Sequence, residues 1–290
     1  IECCKTTKNN QKLTEYINKI EDWDSFIPLA YSHGIFPLVY RSLKEFQQLI
    51  PDDIFIRMKQ YYMDIVKQNM LMTSELIKVL KILEENNIEA ISFKGPVLSQ
   101  LAYGDVVSRQ YCDLDILINI KDFESVVNLL NKLDYTSKLN YDILMEKIKD
   151  SICDHLFIKK KSSINIEIHN NLFSINFPIN IPSRIFFDNQ QNININNINI
   201  KTFSNEYLLF YLCLHGCKHL FSRLSWLLDI HKIISSLNIN WEKFIKIVEE
   251  HNTKSLVYTS LFLSEKIFET KLPDLIKIKH QNKYRKLNIY

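Results

Sequence analysis

Three carboxylates in strand-like surroundings carry the most visible chemistry in this chain. Asp113-Leu114-Asp115 opens an apolar run that continues to Ile118, and side chains two apart on a strand project from one face. Leu114 and Ile116 then face the other way. Two adjacent anions repel and cost stability unless a cation neutralises them. Hard oxygen ligands on one face suit Mg2+, which usually takes one or two carboxylates together with phosphate and water. Further on, Ile164-Asn165-Ile166-Glu167-Ile168-His169 alternates strictly, so Asn165, Glu167 and His169 share a face and Glu167 can supply a third carboxylate. An isolated D-x-D pair fits solvated or salt-bridged acids at a strand edge better than a metal site, but its neighbours point elsewhere. Phe93-Lys94-Gly95 reads as a strand-to-helix turn, where a helix N-terminus receives phosphate and Lys94 adds charge. Arg109 stands a short loop before the acids and can clamp a phosphate bidentately. Carboxylates on paired strands, approached by a glycine turn and cations, are what two-metal phosphoryl or nucleotidyl transfer requires.

The elements that must position these residues are legible in part. Residues from about Asn10 to Asn87 read as helical, with Leu71, Leu76, Val79, Leu80 and Leu83 on one buried face. Asn86-Asn87 breaks that pattern and residues 89–93 read as a short strand. Pro96 suits the first turn of a helix through Leu101, followed by a loop from Gly104 to Gln110. The strand at 113–118 comes next, then a helix over 122–133. Residues 154–160 and 163–169 read as paired strands around the run Lys159-Lys160-Lys161, itself expected to be a solvated turn. The Asn/Ile stretch alternates at Ile193 and Ile195 and again at Ile198 and Ile200, as an edge strand would. From Ser204 the pattern is helical, with breaks near 235–240 and 252–255. The expected fold is therefore α+β, a small mixed β-sheet core at 88–202 flanked by helical segments at 1–87 and 203–290. No Pro/Ser-rich linker separates the three, so one packed body is expected.

Composition narrows the function classes. The 290 residues are 46% hydrophobic and 24% charged, which excludes disorder and low-complexity architecture. Only four glycines occur, Gly34, Gly95, Gly104 and Gly216, where average usage would give roughly twenty. Neither glycine-rich phosphate motif, G-x-G-x-x-G or G-x-x-x-x-G-K-[ST], is present. A formal net charge of +3 is too small to argue by itself for nucleic-acid binding. The six cysteines, including Cys153, follow no disulfide-framework spacing, no apolar run reaches the roughly 20 residues of a membrane span, and no signal-like segment is evident. A cytoplasmic protein with reduced thiols is expected.

The later helical region holds Cys213, His215, Cys217 and His219. On one helix the cysteines share one face and the histidines another, so the four cannot converge on a tetrahedral ion. Buried cysteines acting as small core residues fit better. His215, Lys218, His219, Arg223 and Trp226 fall along one face at helical spacing. That face suits contact with a nucleotide, and it suits a polar packing face anchored by Trp226.

The run Ser92-Phe93-Lys94-Gly95-Pro96-Val97-Leu98, then Tyr103-Gly104, then Arg109-x-x-x-Asp113-Leu114-Asp115-Ile116-Leu117-Ile118 resembles a largely uncharacterised bacterial nucleotidyltransferase family of the DNA polymerase β-like superfamily. The similarity extends to Glu167-Ile168-His169 and to His215-x-x-Lys218-His219 with Arg223, Trp226 and Asp229. It reaches His33-Gly34-Ile35-x-Pro37-Leu38 more weakly, and in all spans about 28–235. The chain departs from the wider superfamily at Gly95-Pro96, where Gly-Ser or Gly-Gly is usual. Proline has neither hydroxyl nor N–H, so that phosphate contact must come from elsewhere.

The resemblance implies that Asp113 and Asp115 hold Mg2+ (or Mn2+), with Glu167 as the third carboxylate. Lys94, Gly95 and Arg109 would surround the phosphates of an NTP co-substrate. His169, His215, Lys218, His219 and Arg223 complete the implied cofactor-binding set. The implied reaction moves a nucleoside monophosphate to a hydroxyl-bearing acceptor, a peptide or small molecule, with RNA as the second acceptor class. A catalytically idle nucleotide-binding or interaction module is the alternative that Gly95-Pro96 favours.

Overall fold

A computed structural model describes residues 1–137, 139, 143, 154–160, 162, 164–173, 177, 179 and 181–277. Cys153, Lys161, Ser163 and Arg285 lie outside the described residues. The chain forms two compact units, Ile1–Lys59 together with Asn205–Tyr290, and Gln60–Ser204. It passes from the first to the second within one long helix.

The second unit is built on a five-stranded mixed sheet. Its strands are β1 (Ala90–Ser92), β2 (Asp113–Ile118), β3 (Tyr135–Ser137), β4 (Asp154–Lys159) and β5 (Asn165–His169), in the order β1-β2-β5-β4-β3. Among the described residues, only the β2–β5 pair is parallel. Leu114, Ile116, Ile118, Ile166 and Ile168 project from one sheet face into the core, as period-two alternation requires. The same alternation sends the acids to the opposite face.

Two helices cover the apolar face. The helix over 123–132 buries Phe123, Val126, Val127 and Leu130, and the long helix α4 (Asp52–Glu85) contributes Met72, Leu76, Val79 and Leu83. That 4-3-4 spacing defines the seam more strictly than the expected one. Leu71 lies off it, is 51% exposed, and yields its place to Met72. Asn87, with φ +57°, ends the helical stretch in a left-handed turn. Lys159 is not solvated as expected: it pairs with Glu75 of α4 and lies over the Tyr135 ring.

The Asn/Ile stretch corrects another expectation. It is not a single edge strand but a hairpin, β6 (Gln190–Ile195) and β7 (Ile198–Phe203), forming its own two-stranded sheet. Asn196 and Asn197 at its tip have φ of +52° and +65°. Positive φ at both central residues is the two-residue hairpin geometry that asparagine tolerates.

The first unit is helical. It contains α1 (Asn10–Ile17), α2 (Trp23–Ser32) and α3 (Phe36–Leu43). After the sheet region come α8 (Asn205–Lys218), α9 (Leu224–Ser236), α10 (Trp241–Glu250) and α11 (Lys254–Phe268), so α5, α6 and α7 are Gly95–Tyr103, Phe123–Lys132 and Arg184–Asp188. Side-chain caps mark several starts: Asn9 accepts from Lys12 N, Asp22 from Ser25 N and Asn240 from Lys243 N. The breaks expected near 235–240 and 252–255 are the α9–α10 and α10–α11 corners. Among the described residues, no helix is long and apolar enough to cross a membrane.

Candidate active site

The acids sit where the sheet's parallel pair brings two strands side by side. Asp113 pairs with Asn165, Asp115 with Glu167 and Leu117 with His169. Residues facing each other across strands have adjacent Cβ atoms, so Asp115 and Glu167 stand together and His169 lies diagonally beyond. The sheet thus brings Asp113, Asp115, Glu167 and His169 to one face.

Asp115 is fully buried. Its Oδ1 accepts from Lys94 Nζ at 2.8 Å and from His169 Nε2 at 3.1 Å. Burial pushes its carboxyl up, but the Lys94 charge and the His169 hydrogen bond outweigh this and hold it well below the usual range. Its Oδ2 is buried and has no hydrogen-bond partner among the described residues. Burial and the charge on Asp115 push the Asp113 carboxyl up, against the pull of Lys94, Arg109 and His169. Burial also raises Glu167, to about 7, helped by the charges on Asp115 and Asp113. Burial and mutual repulsion thus oppose ionisation of Asp113 and Glu167 beside the ionised Asp115. The ligand atoms of Asp115, Glu167 and His169 lie within 4.8 Å of one another, a grouping that among the described residues Asp113 does not join. A close donor set with an orphaned buried oxygen fits a divalent cation.

Lys94 reaches Asp115 because of the turn after β1. Lys94 is extended, Gly95 has φ +52°, and Pro96 opens α5. A Cβ on Gly95 would meet the Asp113 carbonyl oxygen at 3.3 Å, so glycine is required both for its backbone angle and for close approach. The N–H groups of Val97 and Leu98 bond back to the Lys94 carbonyl at 3.2 and 3.4 Å. With proline between, this helix start offers few free N–H donors to an anion.

Arg109 is held by a loop built from polar contacts. Gly104, at φ +84°, ends α5. Asp105 Oδ1 accepts from Val107 N and Ser108 N at 2.9 and 2.7 Å. Ser99 Oγ donates to the Asp105 carbonyl at 2.7 Å and accepts from Arg109 N at 3.3 Å. Asn69 of α4 donates to the carbonyls of Val106 and Arg109 at 3.2 and 2.7 Å, and Tyr111 OH donates to Val106 O at 2.9 Å. Sequence reasoning missed Asn69, Ser99 and Tyr111 as supports. The signal available was Asn69 itself, a polar residue at the spacing of the buried α4 face.

His215, Lys218, His219 and Arg223 belong to the other unit, and the helix face expected to carry them is broken. α8 stops at Lys218, Leu220 and Phe221 take φ of +53° and +48°, and α9 begins at Leu224. The rings nevertheless meet at the corner: His215–His219 centroids are 4.7 Å apart, His219–Trp226 5.0 Å, and Tyr211 stacks on His215 at 5.5 Å. Arg223 Nε donates to Ser32 O at 2.9 Å, and Leu224 N donates to His33 Nδ1 at 3.3 Å. The weak His33-Gly34 match and the Arg223 match are thus one structural corner. Cys213 is fully buried and Cys217 Sγ lies 3.3 Å from Ser260 Oγ, both in packing roles.

Among curated proteins, none is significantly similar in sequence. Solved structures with distant likeness include the lincosamide antibiotic adenylyltransferase LnuA bound to lincomycin, at 16% identity and TM-score 0.38, covering 57% of this chain and 97% of that one. ANT(2″)-Ia in complex with adenylyl-2″-tobramycin is 12% identical with TM-score 0.43, covering 65% and 99%. An antigenic nucleotidyltransferase-like protein from Paracoccidioides brasiliensis is 15% identical with TM-score 0.38, covering 64% and 91%. The sequence profile of one family matches residues 19–269, nearly the whole chain and every site residue above. The chain belongs to that family, described as uncharacterised nucleotidyltransferase.

Proposed function

We propose that the chain transfers a nucleoside monophosphate from an NTP to a hydroxyl of a peptide or small molecule, with residues 88–202 as the catalytic core. Family membership supplies nucleotidyl transfer as the reaction class. The observation that carries the site assignment is the β2–β5 register, which stands Asp115 opposite Glu167 with Asp113 two residues away.

Asp113, Asp115 and Glu167 would hold Mg2+ or Mn2+. Bound there, the cation neutralises the triphosphate and stabilises charge on the attacking and leaving oxygens. Lys94 keeps Asp115 ionised and, with Arg109, provides positive charge for the phosphates. Gly95 lets the turn approach Asp113. The acceptor oxygen attacks the α-phosphorus, the bond from that phosphorus to the α–β bridging oxygen breaks, and pyrophosphate leaves in line. Glu167 takes the hydroxyl proton. His169 stands beside the carboxylates on the same sheet face.

Calorimetry with Mg2+ and each NTP, followed by pyrophosphate release with pooled hydroxyl acceptors, tests this reading. Saturable binding of at least one NTP and acceptor-dependent pyrophosphate are expected; absence of NTP binding contradicts it. One observation favours a second reading, a nucleotide-binding module without turnover. The α5 start offers few free N–H groups, since Pro96 has none and those of Val97 and Leu98 are bonded. NTP binding with no transfer to any acceptor class is the outcome that reading expects.

A further inference from the structure

The geometry points to His169 as a ligand of the divalent cation, completing with Asp115 and Glu167 a mixed nitrogen and oxygen site that takes Mn2+ in preference to Mg2+. This inference rests on the metal-dependent reading above and names a donor which that reading leaves aside.

Glu167 and His169 are two residues apart on β5 and so share a face. The parallel register sets Asp115 across from Glu167, which brings the His169 ring over both carboxylates. Its Nε2 lies 3.1 Å from Asp115 Oδ1 and 3.7 Å from Glu167 Oε2. The ring stands edge-on to Phe93, with centroids 5.3 Å apart, so packing fixes its orientation. Asp113 lies outside the set of mutually close ligand atoms that these three residues form.

A second observation points to a ligand. Asp115 is fully buried, yet its Oδ2 has no hydrogen-bond partner among the described residues. A buried carboxylate oxygen without a partner is costly unless something outside the protein satisfies it. Without a cation, the His169 ring donates Nε2–H to Asp115. With one, that nitrogen gives its lone pair to the cation and the neutral ring carries its single proton on Nδ1. Carboxylate and water ligands alone suit Mg2+, whereas an imidazole favours first-row transition metals, of which Mn2+ retains carboxylate affinity.

The test uses the full chain and Mn2+ alone. Binding is followed by the electron paramagnetic resonance of free Mn2+, and ligation by pulsed measurement of nitrogen-14 coupling to bound Mn2+. Wild type should bind Mn2+ with nitrogen coupling. His169→Gln, folded by circular dichroism, should lose that coupling and weaken Mn2+ binding at least about tenfold. Its affinity for Mg2+, measured by competition, should change less than about threefold. Asp115→Asn should lose Mn2+ binding. If His169→Gln does not fold, nitrogen-15 histidine in the wild type reads ligation without substitution, because the coupling pattern must change with the isotope. Asp115-dependent Mn2+ binding without nitrogen coupling, or coupling that survives in His169→Gln, overturns the inference and leaves the nucleotidyl-transfer reading standing. Failure to bind Mn2+, or binding indifferent to Asp115→Asn, overturns both.

Discussion

Asp115 is a buried anion held ionised by one cation and one imidazole, and the Lys94 charge is the largest single influence that keeps it so. Removing one member of a buried ion pair leaves the other charge uncompensated, at a cost of about 3 kcal/mol. Lys94→Met should therefore destabilise the unit that holds it by about that amount, which urea denaturation will measure as a lower midpoint at unchanged slope. An unchanged midpoint would show that the pair contributes nothing. At this scale the sequence was informative for chemical residues and silent on their supports. Two acids spaced by one residue, and Glu167 in strict alternation, announced a shared face before any coordinates. Asn69, Ser99 and Asp105 carry the loop that presents Arg109, but serine, asparagine and aspartate are ordinary in helices and turns, and their partners lie up to 40 residues away. Only Asn69, a polar residue at the spacing of the buried α4 face, carries a local signal.

Among elements, the sequence is least legible where a turn lacks its usual residues. The β6–β7 hairpin turns at Asn196-Asn197 without glycine, so the Ile alternation read as one strand. The α8–α9 corner carries two left-handed residues, Leu220 and Phe221, whose types predict helix. What forces the corner is packing: Phe221 folds back on Gly216, where an added Cβ would lie 2.1 Å from the ring. Gly216→Ala should expel that ring and cost roughly 2 kcal/mol, within the range for overpacking. The check is thermal denaturation of the variant against Phe221→Ala and the double variant. The double variant should lose less than the two singles summed, because both act on one contact; strict additivity would contradict the account. By contrast, Pro96 after Gly95 and Asn87 after a long apolar seam marked their boundaries correctly, because each has a local steric reason.

At the scale of the molecule, the helical unit joins chain ends more than 140 residues apart in sequence, Ile1–Lys59 with Asn205–Tyr290. Local pattern cannot reveal such a union, although the His33-Gly34 and Arg223 motifs are two sides of one contact within it. His231 reports on this unit. It is 3% exposed, and its two ring nitrogens lie 2.9 Å from the hydroxyls of Thr6 and Thr270. Burial, with a smaller contribution from Lys232, pushes its pKa down to about 4. The unfolded chain binds this proton near pH 6.5 and the folded chain resists it, so stability rises with pH between those values. This contribution is full above about pH 6.5, falls as pH drops toward 4, and amounts to at most roughly 3 kcal/mol. His231→Gln should flatten that part of the profile, measured as denaturation midpoint against pH; an identical slope in both proteins would remove His231 as the cause.

We propose that the acidic face of the mixed sheet performs nucleotidyl transfer. The most direct measurement is transfer of label from α-phosphate-labelled NTP to acceptor with Mg2+ or Mn2+, comparing the wild-type chain with folded Asp115→Asn. Divalent-dependent transfer is expected in the wild type, with loss of at least about a hundredfold in the variant, the scale on which removing electrostatic stabilisation of a transition state acts. Equal transfer by both proteins would contradict it.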